Sequence, residues 1–295
     1  SLIKKYCKKR YKDISKDNTD LIFIPNNRFF YNIKNLPNLR GIKLLKTGWP
    51  RVDLWNSSYE YLYEDQIKKI KNKYGNFYLF VSSFGMTSSR SYKSRIKNLN
   101  LAIKKKRFKS SFIMLKNNIF LLKRLSKLMN KDEKIILRPH PNESIKEWKI
   151  IFSKYKNILI IRDDDITPWL YAAESLLQAG STTTTQAALW GKHSIIYDIK
   201  KEKGMTDTPS YELCKNVNTP EEVYKLLKKN KGKQDINLSK FTKKLLKKEM
   251  MYDEKKPASI KISEELLKLN ISFARKFSAN LVDKNKILID IIKKY

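Results

Sequence analysis

Between Ile135 and Asp198 the chain twice repeats one pattern: a short apolar run of strand length that ends in a cluster of polar residues. The first run, Ile135–Leu137, passes directly into Arg138-Pro139-His140-Pro141. The second, Ser175–Ala179, passes into Gly180, Ser181 and four threonines, after which Gln186-Ala187-Ala188-Leu189 starts a helix. Short continuous apolar runs bounded by turn residues read as strands covered on both faces, and such strands belong to parallel sheets. In parallel α/β sheets ligands collect beyond the carboxyl ends of the strands, where both polar clusters fall.

The surrounding sequence extends the pattern. Phe77–Ser83 (FYLFVSS) is another strand covered on both faces. Helical spacing over 112–129, 144–155, 169–174, 185–190 and 220–229 alternates with strand-like runs at 134–137, 158–161, 176–179 and 194–197. Such alternation implies right-handed crossovers and a doubly wound, Rossmann-type parallel sheet. Ahead of it lie two further strands, Leu21–Pro25 and Ile42–Leu45, and a helix over 59–74 closed by Gly75. That is too little to bury a core of its own. The expected division is an incomplete N-terminal α/β part over 1–76, a Rossmann-like domain over 77–230, and Lys-rich helices over 231–295. The chain starts at Ser1 rather than Met and reads as a fragment or a processed piece.

Net charge is +34, from 63 Lys and Arg against 29 Asp and Glu. One reading is a polyanionic partner. The other is A/T-rich coding, since Lys, Asn, Ile and Tyr are all abundant. The Lys residues are scattered and no nucleic-acid motif accompanies them, so nucleic acid is not expected, whereas attraction to anionic lipid headgroups is. Apolar residues recur at helical spacing in Ile260, Leu266, Leu267 and Ile271 and again in Leu281, Leu288, Ile291 and Ile292. Packing is the expected use of that stripe, with exposed Lys facing the membrane. No apolar run reaches the length of a membrane span. Cys7 and Cys214 lie far apart in sequence, which fits a reducing compartment, and no metal-ligand spacing is present.

His140 is one of two histidines and sits between prolines that stiffen its backbone, so its imidazole can bond a phosphate or protonate a leaving group. Arg138 beside it adds a cation. The hydroxyl run Ser181–Thr185 exceeds what a helix cap needs, and Gly180 lets a ligand approach the backbone. Free N–H groups at a helix start suit phosphate. Together the clusters point to a nucleotide-sugar site; Ser82 and Ser83 at the end of the Phe77–Ser83 strand either face the ligand in the same cleft or form a plain turn. Asp163-Asp164-Asp165 reads as acids at a helix start rather than a metal site. Asp53 is either catalytic or the cap of the helix that follows it.

Several blocks resemble the bacterial surface carbohydrate (surface polysaccharide) biosynthesis proteins, which look like B-type, two-Rossmann-domain glycosyltransferases. The blocks are TGWPRVDLW, EDQIKKIKNKYGNFYLFVSSFG, ILRPHPNESIKEW and DDDITPWLYAAESLLQAGSTTTTQAALWGK, running from about Thr47 to Asp198. Where the family has Gly-Asn-Pro-Arg and an Asp two residues on, this chain has Gly48-Trp49-Pro50-Arg51 and Asp53. Where it has Glu and Pro, this chain has Gln186 and His193. A looser similarity reaches bacterial sialyltransferases and capsule Kdo transferases, in which a His-Pro pair and a Ser/Thr pair hold a CMP-sugar.

The resemblance implies a GT-B-like, metal-independent glycosyltransferase of surface polysaccharide or capsule assembly, with no cofactor beyond its nucleotide-sugar donor. A CMP-linked donor and a glycan acceptor follow from it. His140 and Asp53 would be catalytic. Arg138, Ser82, Ser83, Gly180, Ser181, Thr182 and Thr183 would bind donor, and Gln186 would approach the ribose. The expected location is cytoplasmic, peripheral at the inner face of the membrane. The alternative is a transferase-like binding or assembly protein without turnover.

Overall fold

The computed structural model describes residues 2–84, 102–163, 165–198 and 209–268. The chain divides into two compact units, residues 54–248 and residues 1–53 together with 249–295. In chain order the elements are α1 (Leu2–Arg10), β1 (Leu21–Ile24), α2 (Asn27–Ile33), β2 (Lys43–Lys46), α3 (Pro50–Asp53), α4 (Glu64–Tyr74) and β3 (Tyr78–Val81). Then come α5 (Ala102–Leu128), β4 (Ile135–Arg138), α6 (Ile145–Ile151), β5 (Ile158–Ile160), α7 (Thr167–Ala172), β6 (Ser175–Gln178), α8 (Thr183–Leu189) and β7 (Ser194–Tyr197). The last are α9 (Pro209–Glu212), β8 (Cys214–Val217), α10 (Pro220–Lys229), α11 (Ile236–Met250) and α12 (Ala258–Lys268).

The larger unit is built on a six-stranded sheet, β5-β4-β3-β6-β7-β8. Every pairing is parallel. Counted from β3, the order is that of the Rossmann fold, with the chain reversing direction across the sheet between β3 and β6. Side chains alternate between the faces, as strand geometry requires. Tyr78, Phe80, Ile135, Leu137, Leu177, Ile195 and Tyr197 join Leu121, Leu122 and Leu125 of α5, Trp148 of α6 and Leu227 of α10 in one core. On the other face α4 packs on α7, with the Tyr74 and Trp169 rings 5.4 Å apart.

β8 has no counterpart in the sequence reading. As an edge strand of sequence Cys-Lys-Asn-Val it lacks the continuous apolar run of the inner strands, and only Val217 is buried along it. α10 occupies the interval expected for it, started by Thr219, whose hydroxyl accepts the Glu222 N–H at 3.3 Å.

The smaller unit pairs β1 with β2 in parallel. Its core is Cys7, Tyr11, Ile24, Ile33, Leu36, Leu39 and Ile42. Asn38 ties the unit's N-terminal segment down by donating to the carbonyls of Tyr11 and Ile14 at 2.6 and 2.8 Å.

The expected boundaries at 76/77 and 230/231 therefore shift. α4 joins the larger unit, because it packs against α7 there. The C-terminal helices do not stand together. Asp235 caps α11 by accepting the Asn237 and Leu238 N–H groups, and the Ser239 hydroxyl donates to the Leu189 carbonyl at 2.6 Å, anchoring the start of that helix in the larger unit. α12 belongs with the smaller one. Of the expected apolar stripe, Ile260, Leu266 and Leu267 are 49, 50 and 82% exposed rather than packed. Ile271 and the residues from Leu281 onward lie outside the described residues.

Candidate functional site

The sheet order fixes where a ligand would sit. The strand at the switch point, β3, lies between β4 and β6, with Val81 opposite both Arg138 and Gln178. Ser82-Ser83, Pro139-His140 and Ala179-Gly180-Ser181 therefore emerge side by side from the carboxyl edge. Strands lie about 4.8 Å apart, so the His140 loop and the Gly180 loop flank the Ser82 loop across roughly 10 Å, a span that suits a nucleotide.

The His140 loop is rigid, and its anchor is a buried carboxylate. Glu143 is wholly buried. It accepts the Ser82 hydroxyl at 2.5 Å, the Trp148 indole N–H at 2.8 Å and the Phe84 backbone N–H. Burial pushes its carboxyl above the usual range, while those three donors and the nearby His140 pull the other way. Ser82 Oγ in turn accepts the His140 backbone N–H at 3.1 Å. From outside, Arg162 donates to the carbonyls of His140, Pro141 and Glu143 at 3.3, 3.3 and 2.9 Å. The imidazole itself is exposed, and the Asn142 N–H donates to its Nδ1 at 3.2 Å. In a neutral ring that leaves the proton on Nε2, pointing a donor away from the loop.

Arg138 does not share that exposure. Only 5% of it is accessible. Its guanidinium stacks 4.7 Å from the Trp169 ring and donates to the Asp163 carbonyl at 2.6 Å. The same carbonyl accepts the Trp169 indole N–H at 3.2 Å. Such a buried cation is held by its partners and positions the strand end, instead of facing the cleft as expected.

The second cluster divides in the same way. Gly180 has φ of 78°, so the turn requires glycine, while a Cβ there would only reach contact distance, 3.4 Å, from the Tyr211 ring. Among the described residues the N–H groups of Gly180, Ser181 and Thr182 have no acceptor. Ser181 is half-buried and Thr182 exposed. From Thr183 onward the hydroxyls turn inward. Thr183 donates to Gln178 at 2.9 Å, and Gln178 donates to Ser194 at 3.2 Å, a buried polar string across the sheet. Gln186, expected at a ribose, is buried and donates from Nε2 to the Thr167 hydroxyl at 3.0 Å. Ser83 is exposed, whereas Ser82 spends its hydroxyl inside the loop. What the strand edge brings together on the surface is thus Ser83, His140 and Gly180–Thr182.

Asp53 lies in the smaller unit, and its carboxylate accepts the N–H groups of Ala258 and Ser259 at 3.1 and 2.7 Å. It caps a helix, as one of its two readings held, but that helix is α12, not the one that follows it. Its burial with both oxygens bonded does not suit a catalytic base. Asp165 accepts the Thr167 N–H at 2.7 Å and starts α7, while Asp164 lies outside the described residues. Arg162 and Gln178 were not singled out from sequence. Arg162 looks like any surface cation next to Asp residues, and Gln178 is hidden at the end of an apolar run.

No family model matches the chain, and no curated protein matches its sequence. Solved structures do. One is the wall teichoic acid polymerase TagF, with a TM-score of 0.48, 16% identity, and coverage of 84% of this chain and 58% of that one. Another is the Methanocaldococcus jannaschii UDP-GlcNAc 2-epimerase in complex with UDP-GlcNAc and UDP, with a TM-score of 0.48, 16% identity, and coverage of 84% and 61%. A third is the Neisseria meningitidis UDP-GlcNAc 2-epimerase, with a TM-score of 0.43, 16% identity, and coverage of 84% and 61%. The chain thus spans about three fifths of the length of the structures it matches.

Proposed function

We propose that the chain carries the donor-binding half of a GT-B-type glycosyltransferase of surface polysaccharide assembly and binds the phosphate of a nucleotide-activated sugar at the switch point of its sheet. The observation that carries this reading is the presence there of the exposed His140 imidazole together with the acceptor-free N–H groups of Gly180, Ser181 and Thr182. Three consecutive backbone donors without an acceptor, just ahead of a helix, suit a phosphate. The Nε2–H of His140 adds a donor from the other side. Donors held rigid before the ligand arrives stabilise the charge that grows on a departing nucleotide phosphate. Arg138, Ser82, Thr183 and Gln186 act by holding the loops.

The motif resemblance supports a glycan acceptor and a CMP-linked donor, and metal-independent transfer, since the phosphate would be met by protein donors. The basic surface supports work at an anionic membrane face. The second reading, binding without turnover, is favoured by one residue: Gln186, buried and uncharged where the resembling family has Glu.

Thermal melting of the protein with CMP, CDP, UDP and GDP tests the donor site. A ligand at a hundred times its Kd stabilises the folded state by about 2.7 kcal/mol. A rise with one nucleotide series, abolished in His140→Ala, is expected. No rise with any of the four overturns the reading. Nucleotide release from a matching sugar donor then separates turnover from binding.

A further inference from the structure

The helix α5 crosses one face of the larger unit and contains no Asp or Glu between Ala102 and Leu128, against nine Lys and Arg. Its inner side is core, through Leu121, Leu122 and Leu125. Its outer side carries Phe112 and Phe120, 47 and 57% exposed, with Lys116 exposed between them and Arg124 and Lys127 exposed beyond. Past Phe120 the face opens into a groove of about 550 Å³ lined by Phe120, Lys123, Arg124, Lys127, Tyr155 and Glu221. Lys123 lies 5.8 Å over the Tyr155 ring, and Arg124 pairs with Glu221 at 3.0 Å, so the carboxylate is matched and the remaining lysines leave the groove positive.

We propose that this face of α5, with Phe120 at its centre, is the surface by which the protein lies on an anionic phospholipid bilayer, and that the groove receives a lipid phosphate. Exposed aromatic residues alternating with cations on one helical face, with apolar residues opposite, are what an interfacial helix needs: rings enter the headgroup boundary and ammonium groups stay at the phosphates. The helix lies on the surface and does not span it; no described helix is long and apolar enough to cross a membrane. Charge alone would equally admit a nucleic acid, but the geometry does not. Phe112 and Phe120 are eight residues apart, about 12 Å along the helix, several times the spacing of stacked bases.

The proposal deepens the reading of the chain as a peripheral protein and rests on that part alone, so nucleotide-dependent melting is unaffected by its failure. The test is sedimentation of the full chain with vesicles of phosphatidylglycerol in phosphatidylcholine and of phosphatidylcholine alone. Binding only to the anionic vesicles is expected. Replacing Lys116, Lys123 and Lys127 together by Ala should weaken it roughly a hundredfold, at about fivefold per cation. Phe120→Ser, which leaves the charge unchanged, should weaken it about tenfold. The control replaces Lys68, Lys69 and Lys73 of α4 by Ala and should weaken it far less. Equal losses in the two triple variants, or full binding by Phe120→Ser, overturn the proposal. So does loss of oligonucleotide binding in the α5 triple with vesicle binding intact. Phe120→Trp covers the case of a variant that does not fold: its fluorescence should be quenched by brominated lipid beyond the parent's, and quenching equal to the parent's counts against the proposal.

Discussion

The Ser82 hydroxyl lies 2.5 Å from Oε2 of Glu143, joining the loop after β3 to the loop after β4 beneath His140. Glu143→Ala would take the carboxylate acceptor from the Phe84 N–H and the Trp148 indole N–H in the interior and leave the Ser82 hydroxyl only the Arg138 carbonyl at 3.3 Å, and should cost about 3–5 kcal/mol. Ser82→Ala removes one donor and should cost about 1–2 kcal/mol. Because the two residues share one bond, the double variant should lose less than the sum, which denaturant melts of the four proteins would show. The carboxyl's pKa is raised by burial, so between the unfolded and folded values the native state holds more protons than the unfolded state. Its contribution to stability is therefore full below the ordinary glutamate value and falls as pH rises through the folded one. Glu143→Gln should flatten that part of the stability profile.

Asp53 gives a different kind of prediction, because its two oxygens serve the first N–H groups of a helix more than two hundred residues away in sequence. Asp53→Ala should lower stability by about 0.5–2 kcal/mol, the worth of a helix cap. Asp53→Asn keeps one acceptor and should fall between the parent and Ala. Thermal melting orders the three, and an Asn variant that melts with the parent but loses all turnover would restore a catalytic role.

Gly191 has φ of 73°, and a Cβ on it would lie 2.5 Å from the Asp235 carbonyl oxygen and 2.8 Å from the Asp235 nitrogen. Both neighbours are backbone, tied by the Asp235 N–H to Gly191 carbonyl bond at 2.8 Å, so neither can swing aside. Gly191→Ala adds strain at an L-unfavourable angle to a clash and should cost more than about 3 kcal/mol. A urea midpoint within experimental error of the parent's would contradict this.

These residues mark what could be read from the sequence and what could not. The inner strands were legible because burial on both faces leaves an unbroken apolar run, as in Tyr78–Val81 and Ile135–Leu137. β8 was not, because an edge strand carries Lys215 and Asn216 without penalty. The two polar clusters were legible as positions, since strand ends declare themselves. Which members face outward was not: a Thr at 182 and a Thr at 183 are the same letter, yet one is exposed and the other bonds Gln178 in the core. Arg138 reads as a free cation and is a buried one, because Trp169, which receives it, lies thirty-one residues on. Asp53 shows the same limit, since nothing local announces a cap for Ala258.

His140 supplies the last prediction, which sets the site apart from the scaffold around it. The ring is exposed and its backbone is held by Ser82 and Arg162, so removing the imidazole deletes little packing. His140→Ala should therefore melt close to the parent. A hydrogen bond from Nε2 to a charged phosphate is worth about 1.5–3 kcal/mol, so nucleotide affinity should fall by roughly ten- to more than a hundredfold. Ser82→Ala should show the opposite profile, with a lower melting temperature and a smaller loss of affinity, because its hydroxyl orders the loop without facing the ligand. Calorimetric titration of both variants with the nucleotide that raises the parent's melting temperature distinguishes the two. If affinity falls more in Ser82→Ala than in His140→Ala, the exposed imidazole is not the group that meets the phosphate.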